Sequence, residues 1–266
     1  MSVKESDVAR AAQLAFILEP IPEKPGLTSR SRDLFPEVSL DKFLIGGVNI
    51  GEAFRELAIR INKSRDWPVC YDLCLKAQQE STRGRGGCRL NYGGIITMFP
   101  IVMTHCRLGT SDPIEILDGV KETLMLTNTE DTVWLQKMRN FAYSITPYKR
   151  EDISPIKEDY RDIFEYYTGE LKGIATRGGE TSPYRYTSHA GRSNIEITKG
   201  YPYVRQMLKI RKSILDNDPS LSYIEVMERL DKIMRMKNRE ESPVWFADLY
   251  TCLNYLLIIE NDDALK

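Results

Sequence analysis

Ile95-Ile96-Thr97-Met98-Phe99-Pro100-Ile101-Val102-Met103-Thr104-His105-Cys106-Arg107-Leu108 is the stretch on which the fold of this chain turns. It is apolar on nearly every side and carries no full charge before Arg107, so as a helix it has no face suited to water. It is also too short, and too interrupted by Pro100, to cross a bilayer. The segment therefore predicts a central buried helix, bent at Pro100, with His105 as a hydrogen-bonded core residue rather than a catalytic one.

The segments around it share a helical period. Val8, Ala11, Ala12, Ala15 and Leu18 form one face behind Ser6 or Asp7, and Pro20 ends that helix, leaving Glu19 at a C-terminus where a carboxylate opposes the helix dipole. Ser39 opens a second helix whose apolar face runs from Leu40 to Ile61, locally weak or closely packed at Gly46, Gly47 and Gly51. Asp66 and Pro68 open a third, through Leu73 and Ala77. Asp112-Pro113 and Thr129 start two more. Further helical stripes follow around Ile163 to Ile174, Val204 to Ile214, Ile224 to Met234, and Trp245 to Ile259. No strand, βαβ alternation or repeat is visible. The expectation is an all-α, single-domain orthogonal bundle of about ten helices, spanning 1–266, around the central one.

Two loops interrupt this pattern with cations and helix breakers: Glu19-Pro20-Ile21-Pro22-Glu23-Lys24-Pro25-Gly26-Leu27-Thr28-Ser29-Arg30, and Arg83-Gly84-Arg85-Gly86-Gly87-Cys88-Arg89-Leu90-Asn91-Tyr92-Gly93-Gly94. Glycines let backbone N–H groups approach an anion, arginines offer forked donors, and the next helix contributes its positive end. Each loop reads equally as a solvated connection or as an anion site. A third irregular stretch, 176–193, contains Arg177, Arg185 and His189, as a solvated connection or a lid over a charged ligand.

Composition narrows the function classes. With 37 basic against 38 acidic side chains, a net charge of −1 and a pI near 6.2, the chain is not a general nucleic-acid or membrane-surface binder. No leader-like or membrane-spanning run is visible, so a cytoplasmic protein is expected. The five cysteines, Cys70, Cys74, Cys88, Cys106 and Cys252, lie mostly in apolar helical patterns and read as reduced core residues.

Four segments in register resemble one family, that of triphosphoribosyl-dephospho-CoA synthase. They are Lys24-Pro25-Gly26 with Arg30 and Phe43-Leu44, Leu90-Asn91-Tyr92-Gly93-Gly94, Glu196-Ile197-Thr198-Lys199-Gly200-Tyr201-Pro202, and Ser242-Pro243-Val244-Trp245-Phe246-Ala247-Asp248-Leu249. The resemblance implies an enzyme that moves the triphosphoribosyl group of ATP, with release of adenine, to the 2′-hydroxyl of dephospho-CoA or a related acceptor. It implies Mg²⁺ as the ion and small molecules as the only substrates, without nucleic acid or membrane.

On that resemblance, Glu19, Asp131, Glu196 and Asp248 are the expected catalytic carboxylates, with Glu19 as base or oxocarbenium stabiliser and Asp131 and Asp248 on the metal. Asp131, at the first turn of its helix, has an alternative role as a favourable N-terminal charge. Lys24, Gly26, Arg30, Arg85, Gly86, Gly87, Arg89, Asn91 and Gly93 are the expected ATP and phosphate contacts. The chain departs from the family pattern at Arg89-Leu90, where an Asn-Thr pair is expected, at Ser242, and at Val244-Trp245 in place of Gly-Thr. Those departures keep a second reading open: a nucleotide-binding or structural helical protein on the same scaffold.

Overall fold

A computed structural model describes residues 3–33, 38–84, 90–145, 161–163, 201–237 and 243–260. Ten helices are described: α1 (Glu5–Leu18), α2 (Leu40–Asn49), α3 (Gly51–Lys63), α4 (Tyr71–Thr82), α5 (Tyr92–Leu108), α6 (Pro113–Met125), α7 (Thr129–Ser144), α8 (Tyr201–Asn217), α9 (Tyr223–Lys237) and α10 (Pro243–Glu260). The fold is all-α, with no strand among the described residues. The expected helix at Ile163–Ile174 and the 176–193 loop lie, Ile163 apart, outside the described residues.

Helix α5 is the core, buried at every residue from Tyr92 through Cys106. It packs against α3, α4, α6 and α10, while α1 lies across α2, α3 and α10. The helix continues through Pro100, whose carbonyl accepts from Thr104 Oγ1 at 2.8 Å. His105 is 4% exposed and hydrogen-bonded through Nδ1 to the Tyr255 hydroxyl at 2.7 Å, as expected of a core histidine. Cys70, Cys74, Cys106 and Cys252 are buried thiols that form no disulfide with one another.

Helix starts follow local chemistry where a local cap exists. Asp112 accepts from the N–H groups of Ile114 and Glu115, at 2.7 and 3.0 Å, and fixes the start of α6 with Pro113 in its first turn. Asn128, one residue before the predicted Thr129, caps α7 in a capping box with Asp131. Two boundaries differ from the sequence reading. The helix predicted from Leu40 to Ile61 divides at Ile50, between the glycines that let α1 approach: a side chain on Gly47 would meet Ile17 and Phe16, and one on Gly51 would meet Gln13. Helix α4 starts at Tyr71 rather than near Pro68, because its capping carboxylate comes from α7.

The buried His105 gives the fold a pH signature. Burial pulls its pKa from 6.5 down to about 4, so the folded state favours the neutral ring. Its contribution is complete above about pH 6.5 and falls as pH drops toward 4, by up to about 3 kcal/mol. Thermal melts across this range are expected to show a steeper loss in the wild type than in His105→Gln; equal slopes would remove His105 as the cause.

Candidate functional site

The N-terminus of α5 forms one wall of a cavity of about 190 Å³ lined by Phe16, Glu19, Leu27, Thr28, Val38, Phe43, Leu90, Asn91, Tyr92, Gly93, Gly94, Ala247, Asp248 and Thr251. Three elements distant in sequence meet there: the end of α1, the first turn of α5 and the first turns of α10. The glycines make this possible. A Cβ on Gly93 would lie 2.0 Å from Asp248 Oδ2, and one on Gly94 would lie 2.8 Å from Phe16 Cε1. Only a hydrogen at position 93 lets the Asp248 carboxylate rest on the helix, where the positive end of the dipole favours it.

Asn91 turns the chain into α5 with φ at 66°, a left-handed conformation that asparagine tolerates better than most residues. Its side chain makes no capping bond, and among the described residues its buried Nδ2 has no acceptor. Behind this turn, Thr97 Oγ1 donates to the Gly93 carbonyl at 2.7 Å, and the buried Tyr201 hydroxyl donates to the Thr97 carbonyl at 2.9 Å. The Gly200-Tyr201-Pro202 segment thus reaches the helix through its tyrosine.

Glu19 lies at the other side of the cavity and is largely buried. Its Oε1 accepts from Lys24 Nζ at 2.7 Å, and the same ammonium donates to the Glu19 carbonyl oxygen. Lys24 is 3% exposed and absent from the cavity wall. It faces a carboxylate instead of open space, as a buried cation must. Arg30 also turns away, pairing with Glu228 at 3.0 Å and Glu23 at 3.6 Å. Gly26, at φ 79°, shapes the loop and lines nothing.

Of the expected carboxylates, then, Glu19 and Asp248 share one cavity, and Asn91 and Gly93 line it with them. Asp131 is elsewhere. It is 0% exposed and accepts from the backbone N–H groups of Cys70 (2.7 Å), Tyr71 (2.9 Å) and Asn128 (3.2 Å), stitching the start of α4 to that of α7. Burial pushes its carboxyl upward against the pull of those donors. A carboxylate so engaged fills the structural role that its place in the first turn of α7 also allowed. Glu196, Arg85, Gly86, Gly87 and Arg89 lie outside the described residues.

Sequence reasoning singles out neither Phe16 nor Thr251, and it quotes Thr28 and Phe43 without a site role, yet all four stand in the wall. Thr251 was recoverable, standing one helical turn beyond Ala247 and Asp248. Among the described residues no group of three or more His, Cys, Asp or Glu side chains is placed to hold a metal ion. Asp248 offers one carboxylate, and Mg²⁺ is usually held by only one or two plus the phosphates of its substrate. The donor set therefore fits an ion that arrives with a polyphosphate.

Two substitutions separate architecture from site. Asp131→Ala strands three buried donors and is expected to cost about 3 kcal/mol or more, a melting loss on the order of 10 °C, with ligand affinity at the cavity unchanged in the folded fraction. Gly93→Ala is expected to displace Asp248 and abolish that affinity at modest loss of melting temperature. The reverse pattern would exchange the roles of the two positions.

No curated protein and no solved structure matches the chain. Residues 5–161, more than half of it, match the family model described as CitG, ATP:dephospho-CoA triphosphoribosyl transferase, and the chain belongs to that family.

Proposed function

We propose that the cavity between α1, α5 and α10 is where the N-glycosidic bond of ATP is exchanged for a bond to dephospho-CoA or a related acceptor. The observation that carries this reading is the meeting of Glu19 and Asp248 in one cavity, together with the Asn91-Gly93 turn.

The chemistry asks for those parts. The bond between ribose C1′ and adenine breaks, C1′ passes through an oxocarbenium-like state, and the acceptor 2′-hydroxyl oxygen bonds to it while its proton leaves. Glu19 is the base that takes this proton, and adenine departs with the electron pair of the broken bond and is protonated on nitrogen, by solvent or by the proton Glu19 gives up, so that neutral adenine is released. A carboxylate beside C1′ also favours the positive charge that develops there. The apolar walls supplied by Phe16, Leu27 and Phe43 suit a flat ring and exclude competing water. A volume near 190 Å³ is below the roughly 300–1,000 Å³ of whole-ligand sites, so this part of the chain takes the base or ribose while the triphosphate extends outward. Asp248 would hold the Mg²⁺ that neutralises the triphosphate. Asn91 Nδ2 supplies a hydrogen-bond donor to the bound nucleotide.

Lys24 has a different task from the one its sequence context suggested: it holds the Glu19 carboxylate in orientation rather than gripping phosphate. Phosphate contacts then fall to the Arg85–Arg89 stretch, in keeping with the family resemblance.

The test is incubation with ATP and Mg²⁺, with and without dephospho-CoA, following free adenine by chromatography. Adenine is expected only with the acceptor, and Glu19→Gln is expected to lower its rate by about 10²- to 10⁴-fold. Adenine formed without acceptor would point to another acceptor or to water. An ATP-induced rise in melting temperature without adenine would favour the nucleotide-binding reading, and neither signal would end both.

A further inference from the structure

We propose that Asp231 and Arg235 of α9, acting through Tyr250 of α10, are positioning residues for the Glu19–Lys24 pair, so that α9 sets the geometry of the cavity without lining it. This rests on the reading of Glu19 as the reacting carboxylate.

The connections form a closed circuit. Lys24 Nζ is bonded to Glu19 and lies 5.7 Å from the centroid of the Tyr250 ring, within the reach of a cation–π contact. The Tyr250 hydroxyl donates to Asp231 Oδ1 at 3.0 Å. Asp231 Oδ2 accepts from Arg235 Nε at 2.6 Å, and Arg235 Nη1 donates to the Pro25 carbonyl at 2.9 Å. Pro25 follows Lys24 in the chain, so the circuit returns to its start.

Each link has a physical requirement. Lys24 and Asp231 are 3% and 2% exposed, and neither charge is tolerable there without a partner. The circuit holds two cations and two anions in alternation, and losing any one leaves a buried charge without compensation. Burial first, and the Asp231 charge next, push the Tyr250 phenol well above its ordinary range, so it stays a hydrogen-bond donor. Donation to a carboxylate also enriches the ring that faces Lys24.

Helix α9 grips the same loop at further points. Arg30 pairs with Glu228, and the Glu23 backbone N–H donates to Glu228 Oε1 at 3.0 Å. At the start of α9, Tyr223 donates to Asn254 Oδ1 at 2.8 Å, and Asn254 Nδ2 donates to the Ala15 carbonyl of α1 at 3.3 Å. The helix thus joins α10, the end of α1 and the Glu19–Arg30 loop, which are the parts that place Glu19. None of Asp231, Arg235 and Tyr250 falls in the stretch that matches the family model, and none lines the cavity.

The experiment uses the full chain and reads the coupling twice. Melting temperatures are measured for Glu19→Gln, Tyr250→Phe and the double variant. Glu19 and Tyr250 are joined through Lys24, and the Glu19 charge also acts more weakly on the phenol directly, so the double variant is expected to lose at least about 2 °C less than the sum of the single losses. Additive losses would overturn the proposal. Steady-state adenine release is then measured for Tyr250→Phe and Asp231→Asn. Each is expected to lower kcat about 10- to 100-fold while KM for ATP stays within about twofold, because the base is misplaced and the cavity wall is intact. An unchanged kcat, or a raised KM with kcat preserved, would overturn it as well. If the wild type releases no adenine, the transferase reading fails, and the melting cycle alone decides whether the circuit couples.

Discussion

A helix buried on all sides has to be reached by its neighbours everywhere and satisfied at both ends, and α5 imposes that constraint on this molecule. Its middle is met by apolar faces of α3, α4, α6 and α10. Its N-terminus is a harder problem, since unsatisfied N–H groups there need acceptors and a side chain would hold the neighbours away. Two glycines and an asparagine in a left-handed turn let the neighbours approach, and the Asp248 carboxylate of α10 stands against Gly93 at the positive end of the helix. The cavity is what remains where α1, α5 and α10 approach that end without filling it.

The same constraint explains which parts of the fold can be read in the sequence. Residues 95–108 announce a buried helix because no arrangement of their side chains gives a polar face. Asp112 and Pro113 announce a helix start because cap and first turn are adjacent in the chain. The start of α4 is not legible in this way: its acceptor is Asp131, about 60 residues away, and it joins two helix termini that nothing local pairs. Asp131 is a site candidate only through the family resemblance, and its place near a helix N-terminus offers the structural role that its three backbone donors give it. The division at Ile50 escaped notice for a related reason, because the glycines around it answer to the close approach of α1 rather than to any local preference.

Charges were harder to assign than apolar faces. Lys24 and Arg30 stand in a loop whose composition suits an anion, and the fold directs both to carboxylates of its own, Glu19 and Glu228. Composition counts cations; only tertiary structure says which are already neutralised. For Lys24 the reason is burial, since an ammonium 3% exposed is stable only beside an acceptor. For Arg30 it is proximity to α9. The circuit through Tyr250, Asp231 and Arg235 was invisible for the same cause, being assembled from positions that share no spacing rule.

The cavity joins two parts of the chain with different relations to the family. Glu19, Asn91 and Gly93 lie within the matched residues 5–161, whereas Ala247, Asp248 and Thr251 lie beyond them on α10. The two parts are not independent, because Asp248 can stand where it does only while position 93 lacks a side chain. A carboxylate resting on the first turn of α5 also uses the positive end of that helix, leaving less of it for a phosphate. A triphosphate would therefore approach this turn with a cation, and the described wall is better suited to the uncharged end of a nucleotide. Of the departures from the family pattern, Leu90 stands in the cavity wall at the entry to α5, while Val244-Trp245 precede the wall residues Ala247 and Asp248 on α10, so the departures touch both halves of the cavity.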